Sequence, residues 1–285
     1  MSTNTSLKPT SLTHQHLLAA VKTELSCRAN RDPVRLLDVG CGEGGLITFL
    51  QSGLTGLSPE IPVEVHGFDV VDTLSERPRF PHSTVEQLTR SLPGVPWHER
   101  IRSVSQHEEW PYPDGFFDIV VSNQVLEHVV RLPPFMAQLS RVLAPGGCSM
   151  HVFPLRNALC DGHVLMPLIH RVRGYEQRAA MARMWRRLGV GNNRTGDMAE
   201  TAERISTYLH LGTTYRYFQE FVDEAKRAEL KLSYRYTQEL YQQKLAAALG
   251  HRSLEIYRRS RRAVVDWLAF CTLRYASSVT LVLEK

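Results

Sequence analysis

Apolar positions in the first 153 residues follow two different periods. A spacing of three and four residues, seen at Leu17, Leu18, Val21 and Leu25, predicts a helix over residues 11–27. Short apolar runs bounded by proline, glycine or a turn are typical of buried parallel strands. They predict strands at 34–39, 63–68, 119–121 and 148–153, with helices at 46–50 and 135–143 between them. This alternation favours a doubly wound α/β sheet with right-handed crossovers.

The pattern changes after Pro154. A basic helix is predicted over 171–187 and a loop rich in glycine and asparagine over 189–196, and we interpret this stretch as an inserted helical cap. The remaining pattern predicts helices near 215–230 and 254–273 and strands at 231–236 and 277–283.

Composition narrows the class of protein. At 285 residues and 43% hydrophobic content, the chain can bury a sizeable core. The five cysteines are odd in number and lack paired spacing, which favours reduced thiols over disulfides or a zinc site, and no metal ligands are predicted. The first ten residues do not resemble a signal peptide, and the longest apolar stretch, 263–273, is shorter than the ~20 residues of a spanning helix. A cytoplasmic protein is expected.

Charge is distributed unevenly along the chain. Residues 1–150 carry 12 Lys and Arg against 16 Asp and Glu, a net charge of −4, whereas residues 151–285 carry 22 against 13, a net charge of +9. Such blocks indicate the charge of binding partners more than the fold. The basic half therefore predicts an anionic partner.

The segment from Leu36 to Gly45 carries the strongest chemical signal. Glycines directly after a strand let the backbone turn sharply and approach a ligand, and the following helix can present N–H groups to it. The spacing of Gly40, Gly42 and Gly45 also fits a dinucleotide-binding dehydrogenase. Asp38, two residues before Gly40, favours a cationic ligand, because a carboxylate beside a pyrophosphate would be repelled.

Two further stretches resemble the signature of class I (Rossmann-like) S-adenosylmethionine-dependent methyltransferases. They are WPYPDGFFDIVVSNQVLEHV at 110–129 and RVLAPGG at 141–147, and the motifs follow the family's order. The Tyr-x-x-x-Lys pair of short-chain dehydrogenases is not found. The resemblance implies a doubly wound sheet of seven mostly parallel strands, the last one antiparallel, with S-adenosyl-L-methionine as the cofactor.

The same resemblance assigns the residues that bind the cofactor. One departure concerns the adenine position, where the family often has Asp and this chain has an amide that can still donate and accept hydrogen bonds. The methionine end is assigned to Asp38, Gly40, Cys41 and Gly42, the ribose to Asp69 and Val70, the adenine to Gln106 and His107, and the position beside the sulfonium to Ser122.

The acceptor side is expected where the chain leaves the strand at 148–153 and enters the cap, since ligands of open α/β sheets lie beyond the carboxyl ends of the strands. Three residues there are candidates for catalysis. His163 is the first candidate for a general base, oriented by Asp161. The alternative is that Asp161 caps a helix that begins near His163. His128, placed on the helix after Ser122, is the second candidate and could instead shape the pocket.

These assignments divide the chain into four parts. They are a disordered tail (1–10), an N-terminal helix with the cofactor-binding core (11–153), a helical cap that takes the acceptor (154–213) and the C-terminal part of the core (214–285).

The expected reaction is O-methylation of a small-molecule or sugar acceptor that is anionic. The stretch 153–170 is similar to bacterial methyltransferases of glycan and natural-product pathways. The basic half also suits an acceptor at a membrane surface, so peripheral contact with a membrane stays open. Two alternatives are an RNA or tRNA methyltransferase and a non-catalytic cofactor-binding scaffold. A nucleic-acid partner is disfavoured because no RNA-binding appendage is present.

Overall fold

The computed structural model describes residues 11–27, 33–55, 62–71, 79–192, 197–251, 254–257 and 263–285. The tail expected at 1–10 lies outside the described residues, as do parts of the loop at 189–196 and of the helix expected at 254–273.

Seven strands form one mixed sheet in the order β3-β2-β1-β4-β5-β7-β6. Strands β1 to β5 pair in parallel, and β7 runs antiparallel to both of its neighbours. The expectation of a mostly parallel sheet whose last strand is antiparallel is confirmed. The strands are β1 (Val34–Val39), β2 (Val63–Val70), β3 (Ile101–Val104), β4 (Phe117–Asn123), β5 (Leu143–Pro154), β6 (Lys231–Ser233) and β7 (Ser278–Glu284).

Ten helices accompany this sheet in the described part of the chain. None of these helices is long and apolar enough to cross a membrane. They are α1 (Leu12–Ser26), α2 (Gly45–Thr55), α3 (His82–Ser91), α4 (Trp97–Arg100), α5 (Leu132–Val142), α6 (Tyr175–Arg187), α7 (Met198–Leu211), α8 (Phe218–Arg227), α9 (Thr237–Ala248) and α10 (Ala263–Leu273).

Alternate residues along each central strand enter opposite faces of the sheet. Leu36 of β1 packs with residues of α1 and α2 on one face, whereas Leu37 packs with residues of α5 and α8 on the other. Burial on both faces explains why these strands appear in the sequence as nearly continuous apolar runs.

Helices α6 and α7 lie between β5 and α8 and have a small hydrophobic cluster of their own. The basic helix begins at Tyr175 rather than at 171, because a 3-10 turn at Ile169–Arg171 and an extended Gly174 precede it. Helix α7 was not predicted, although Asp197 caps it by accepting hydrogen bonds from the backbone N–H groups of Ala199 and Glu200.

Candidate active site at the carboxyl edge of the sheet

The loop between β1 and α2 turns with left-handed backbone at Gly40, whose φ is 72°. A Cβ atom at this position would lie 2.6 Å from Cγ2 of Val125, so only glycine fits between the loop and the segment after β4. This close approach brings the glycine loop against the segment that also contains Glu127 and His128.

The loop amides are already hydrogen-bonded within the protein. The N–H groups of Gly40 and Cys41 both donate to the carbonyl of Phe68, at 2.9 and 3.0 Å, and that of Gly44 donates to the carbonyl of Cys41. A pyrophosphate site would require such N–H groups to face the ligand. The dinucleotide interpretation of the glycine spacing therefore does not fit this loop.

Two carboxylates lie beside the loop. Asp38 is 2% exposed, and burial together with the charge of Asp69 raises its pKa well above the usual range. Asp69 accepts hydrogen bonds from the N–H groups of Gly42 at 3.0 Å and Val70 at 2.8 Å. A carboxylate can accept about four hydrogen bonds, so these two do not exclude ribose hydroxyls. A cationic ligand with a ribose, such as S-adenosylmethionine, fits this pair better than a pyrophosphate does.

The other residues assigned to the cofactor lie on or next to the same edge. Cys41 is buried, and its Cβ atom would lie 2.9 Å from a Cβ atom on Gly67, while Val70 ends β2. Gln106 and His107 are exposed in the turn after β3, which pairs with β2 through Asp69 and Val70.

Ser122 lies inside the sheet rather than at its open edge. The residue is fully buried, and its hydroxyl is 2.7 Å from Nδ1 of His151. Strand β4 continues to Asn123, whose side-chain oxygen is buried and has no hydrogen-bond partner among the described residues. This differs from the expected position of the Ser122 side chain, and Asn123 is the polar residue at the strand end that the sequence did not single out.

The acceptor candidates meet in one polar cluster. Asp161 accepts hydrogen bonds from the backbone N–H groups of His163 and Val164, at 2.8 and 3.0 Å, and from the Tyr215 hydroxyl at 2.7 Å. Nδ1 of His163 lies 3.1 Å from the Tyr215 oxygen. Asp161 therefore caps a turn and orients the imidazole of His163 at the same time. The structure has a turn here and not the helix considered as the alternative.

His128 belongs to this cluster, but it lies in a turn and not on a helix. Gln124 adopts a left-handed conformation with φ 58°, which redirects the chain after β4, and α5 begins only at Leu132. Nε2 of His128 is 3.2 Å from Nε2 of His163, and its Nδ1 is 2.6 Å from the carbonyl of Gly212.

Glu127 completes the cluster and was missed by sequence reasoning. Its side chain is fully buried, and Oε1 lies 3.8 Å from Nε2 of His163. Burial raises the pKa of Glu127 to about 8, against the opposing effects of its own backbone amide and of His163. The only signal in the sequence was a glutamate next to His128 within an apolar run. It was interpreted as part of the family signature and not as a site residue.

The charge states of Asp161 and His163 support each other. Burial acts to raise the pKa of Asp161, but hydrogen bonds from His163 and Tyr215 outweigh burial and lower it to about 2. Burial likewise acts to lower the pKa of His163, but Asp161 and Glu127 outweigh it and raise the pKa above its usual value. The pKa of His128 is lowered, chiefly by burial.

A cavity of about 190 Å³ adjoins the cluster. It is lined by Arg156, Arg173 and Arg178, and by Tyr215, whose hydroxyl contacts Asp161. Arg178 is 6% exposed and donates to the carbonyls of Val172 and Ser206. The arginine–carboxylate pairs among the described residues involve other arginines, namely Arg35, Arg79, Arg90, Arg100, Arg141, Arg227 and Arg235. The cavity therefore carries positive charge that no ion pair in the described part of the chain neutralises.

Comparisons with known proteins show similarity to methyltransferases. A family model described as a methyltransferase domain matches residues 12–219. Malonyl-(acyl-carrier protein) O-methyltransferase of Halorhodospira halophila is 33% identical over 119 residues, which are 41% of this chain and 34% of that protein. Norajmaline N-methyltransferase of Rauvolfia serpentina is 28% identical over 124 residues, which are 41% of this chain and 35% of that protein. The match spans about a third of the length of these curated relatives.

Among solved structures, an S-adenosylmethionine-dependent methyltransferase from Mesorhizobium loti has a similar fold. The TM-score is 0.50 at 11% sequence identity, and the match covers 92% of this chain and 95% of that chain.

Proposed function

Because the chain belongs to the class I S-adenosylmethionine-dependent methyltransferase family, we propose that it methylates an oxygen atom of a small anionic acceptor such as a sugar. The observation that carries the acceptor class is the cavity lined by Arg156, Arg173 and Arg178, which lies against the cluster of Asp161 and His163. Arginines that have no salt bridge among the described residues favour a carboxylate or phosphate ligand.

The carboxyl edge of the sheet holds the cofactor in this proposal. Asp38 would hold the ammonium group, Asp69 and Val70 the ribose, and Gln106 and His107 the adenine. Gly40, Cys41 and Gly42 shape the methionine end, and Asn123 joins Ser122 at the end of β4. When bound, the cofactor supplies a sulfonium methyl group.

The residues of the cluster position the acceptor and take up its proton. With the cofactor bound, the acceptor oxygen would form a bond to the methyl carbon while the carbon–sulfur bond breaks, and the sulfur would leave with the electron pair. His163 accepts the proton of the acceptor hydroxyl, and Asp161 holds the ring in place and stabilises its charged form. His128 shapes the pocket beside it. Holding the reacting groups in line lowers the activation barrier by ~7–11 kcal/mol. A positioned base increases the rate by a further ~10²–10⁴-fold.

The role of His163 is tested by steady-state kinetics with a panel of anionic sugars, small phenols and their neutral analogues, measuring S-adenosylhomocysteine. We expect His163→Ala to lower kcat by ~10²–10⁴-fold. Cofactor affinity should stay nearly unchanged, since His163 lies on the acceptor side. His98→Ala, an exposed histidine outside the site, is the control. Full turnover of His163→Ala would show that another group, or none, takes the proton.

The same assay tests the acceptor class. Replacing Arg156 and Arg173 with Gln should raise KM for the anionic acceptor in a salt-dependent manner with less effect on kcat, because these charges assist capture. Arg187 lies on α6 but does not line the cavity, so Arg187→Gln should leave KM unchanged. Equal turnover of neutral and anionic compounds would exclude an anionic acceptor.

We also propose that α10 touches an anionic membrane surface. Val264, Trp267 and Leu268 are 68%, 51% and 52% exposed, whereas Phe270 is buried and anchors the helix. The sequence immediately before α10 contains Arg258, Arg259, Arg261 and Arg262, whose placement lies outside the described residues. Exposed apolar residues next to clustered arginines fit the interface of anionic lipids.

A further inference from the structure

The two imidazoles of the cluster face each other in an unusual way. Nε2 of His128 and Nε2 of His163 are 3.2 Å apart, and Oε1 of Glu127 lies 3.8 Å from the second of these atoms. One ligand atom from each residue lies within 4.8 Å of the other two. Zinc–nitrogen bonds of ~2.0–2.1 Å in a tetrahedron place two nitrogen ligands about 3.3 Å apart, close to the separation found here.

Hydrogen bonding fixes which ring nitrogens carry hydrogen. Nδ1 of His128 faces the carbonyl of Gly212, which can only accept, so Nδ1 is the donor. The Tyr215 hydroxyl donates to Asp161, so its oxygen accepts from Nδ1 of His163. In the neutral rings both Nε2 atoms are therefore lone-pair acceptors directed at each other, and this contact is repulsive unless a proton or a metal ion lies between them.

Glu127 adds a buried carboxyl group as the third ligand. Its residue is 1% exposed, and neither carboxylate oxygen has a hydrogen-bond partner among the described residues. Burying an unpaired carboxylate costs several kcal/mol unless it is neutralised or coordinates a metal. The carboxylate lies on the same side of His163 as Nε2 of His128.

The groups behind the two histidines match the outer contacts of known metal sites. A histidine that binds a metal usually donates its other N–H to a backbone carbonyl or a carboxylate. His128 has the carbonyl of Gly212, and His163 has Tyr215 backed by Asp161. The two carboxylates, Glu127 and Asp161, together balance the charge of a divalent ion.

We propose that Glu127, His128 and His163 bind a divalent first-row transition-metal ion. Two imidazoles and one carboxylate are ligands suited to zinc, manganese, iron or cobalt. His163 is 21% exposed at its side chain, so a further ligand can approach from outside. The site goes beyond the proposed methyl transfer and does not depend on it. When bound, the ion would take up the Nε2 lone pairs of both histidines, so the role of His163 as a base would belong to the metal-free protein.

Metal binding to the full chain tests this site directly. The protein is stripped with a chelator and titrated with Zn²⁺ or Mn²⁺ by calorimetry, and with Co²⁺ by its visible absorption. We expect a single ion per chain, with affinity lowered about a hundredfold or more by Glu127→Gln or His128→Ala, and about 10–100-fold by Tyr215→Phe. His82→Ala, which removes the exposed His82–Glu86 pair, should leave the affinity unchanged.

Two outcomes would overturn the proposal: no stoichiometric binding by the wild-type protein, or equal affinity of wild type and Glu127→Gln. Tyr215→Phe removes only a hydroxyl, so it remains informative if a ligand variant fails to fold, and equal affinity of this variant would also contradict the arrangement. Binding of S-adenosylhomocysteine is measured in parallel. Failure of the wild-type protein to bind S-adenosylhomocysteine would count against the proposed function and not against the metal site.

Discussion

Asp38 is a buried carboxyl group whose protonation depends on its neighbours. Burial and the neighbouring Asp69 raise its pKa, so the protein without ligand holds Asp38 protonated to a higher pH than usual. A cationic ligand favours the ionised form. Binding below the raised pKa must therefore release a proton.

The resulting prediction is that cofactor affinity increases with pH until Asp38 is ionised in the free protein. Asp38→Asn should bind more weakly and lose this part of the pH dependence, since the amide does not titrate. Calorimetry in buffers of different ionisation enthalpy measures both the affinity and the proton released. A wild-type pH profile that is retained in Asp38→Asn would exclude Asp38 as the partner of the ammonium group.

Sequence reasoning worked for residues whose chemistry is local in the chain. Asp38 and Gly40 are two residues apart and follow a strand, so their proximity could be inferred. The cluster of Glu127 and His163 joins two loops 36 residues apart, and no spacing pattern reveals that distance. The sequence expectation of no metal ligands followed from cysteine spacing, which carries no information about this combination of histidine and glutamate.

At the scale of secondary structure, His16 attaches α1 to β7 and to Tyr257. The residue is fully buried, with Nδ1 2.8 Å from the Tyr257 hydroxyl and Nε2 2.8 Å from that of Thr280 in β7. Burial, assisted by the charge of Lys244, lowers the pKa of His16 to about 3. The folded state therefore requires the neutral ring.

This attachment predicts a loss of stability in acid. Because the folded pKa lies below the unfolded value of about 6.5, the contribution of neutral His16 is fully present above that pH and declines as pH falls towards 3. Urea unfolding at several pH values gives the free energy of unfolding as a function of pH. Its slope in His16→Gln should be shallower than in the wild type, by the equivalent of up to one proton taken up on unfolding. His98→Gln, at an exposed position, should keep the wild-type slope. Identical slopes in all three proteins would contradict the role of His16.

The strands were predicted better than the helices, for a physical reason. Strand β1 has the predicted bounds because burial on both faces leaves a continuous apolar run between Pro33 and Gly40. Strand β3 lies at the sheet edge with exposed Arg102 and Ser103, and it carries no such run. Helix α7 packs mainly against α6, so only part of one face is apolar.

At the scale of the whole molecule, the charge asymmetry has a spatial counterpart. The acidic half supplies Asp38 and Asp69, and the basic half supplies the cavity with Arg156 and Arg173. On the basic cap helix α6, Arg178 lines the cavity, whereas Arg186 donates to the backbone carbonyls of Asp197 and Met198 and does not line it. Net charge along the chain did not indicate which arginines line the cavity.

The exposed face of α10 gives a prediction at this scale. Vesicles containing anionic phosphatidylglycerol should carry the protein upward in flotation, whereas neutral phosphatidylcholine vesicles should not, since both apolar insertion and charge contribute. Replacing Trp267 and Leu268 with Gln should abolish flotation. Leu188→Gln, at a position 66% exposed on the cap, is the matched control. Unchanged flotation of the α10 variant would refute a membrane contact. So would a variant that still floats but no longer self-associates.

The central claim is that this fold binds S-adenosylmethionine and not a dinucleotide, and ligand-dependent thermal unfolding tests it most directly. At ~100 times the dissociation constant, S-adenosylmethionine or S-adenosylhomocysteine should stabilise the folded state by ~2.7 kcal/mol and raise Tm. NAD and NADP at the same concentrations should leave Tm unchanged. A rise in Tm with NAD or NADP and none with S-adenosylmethionine would contradict the account.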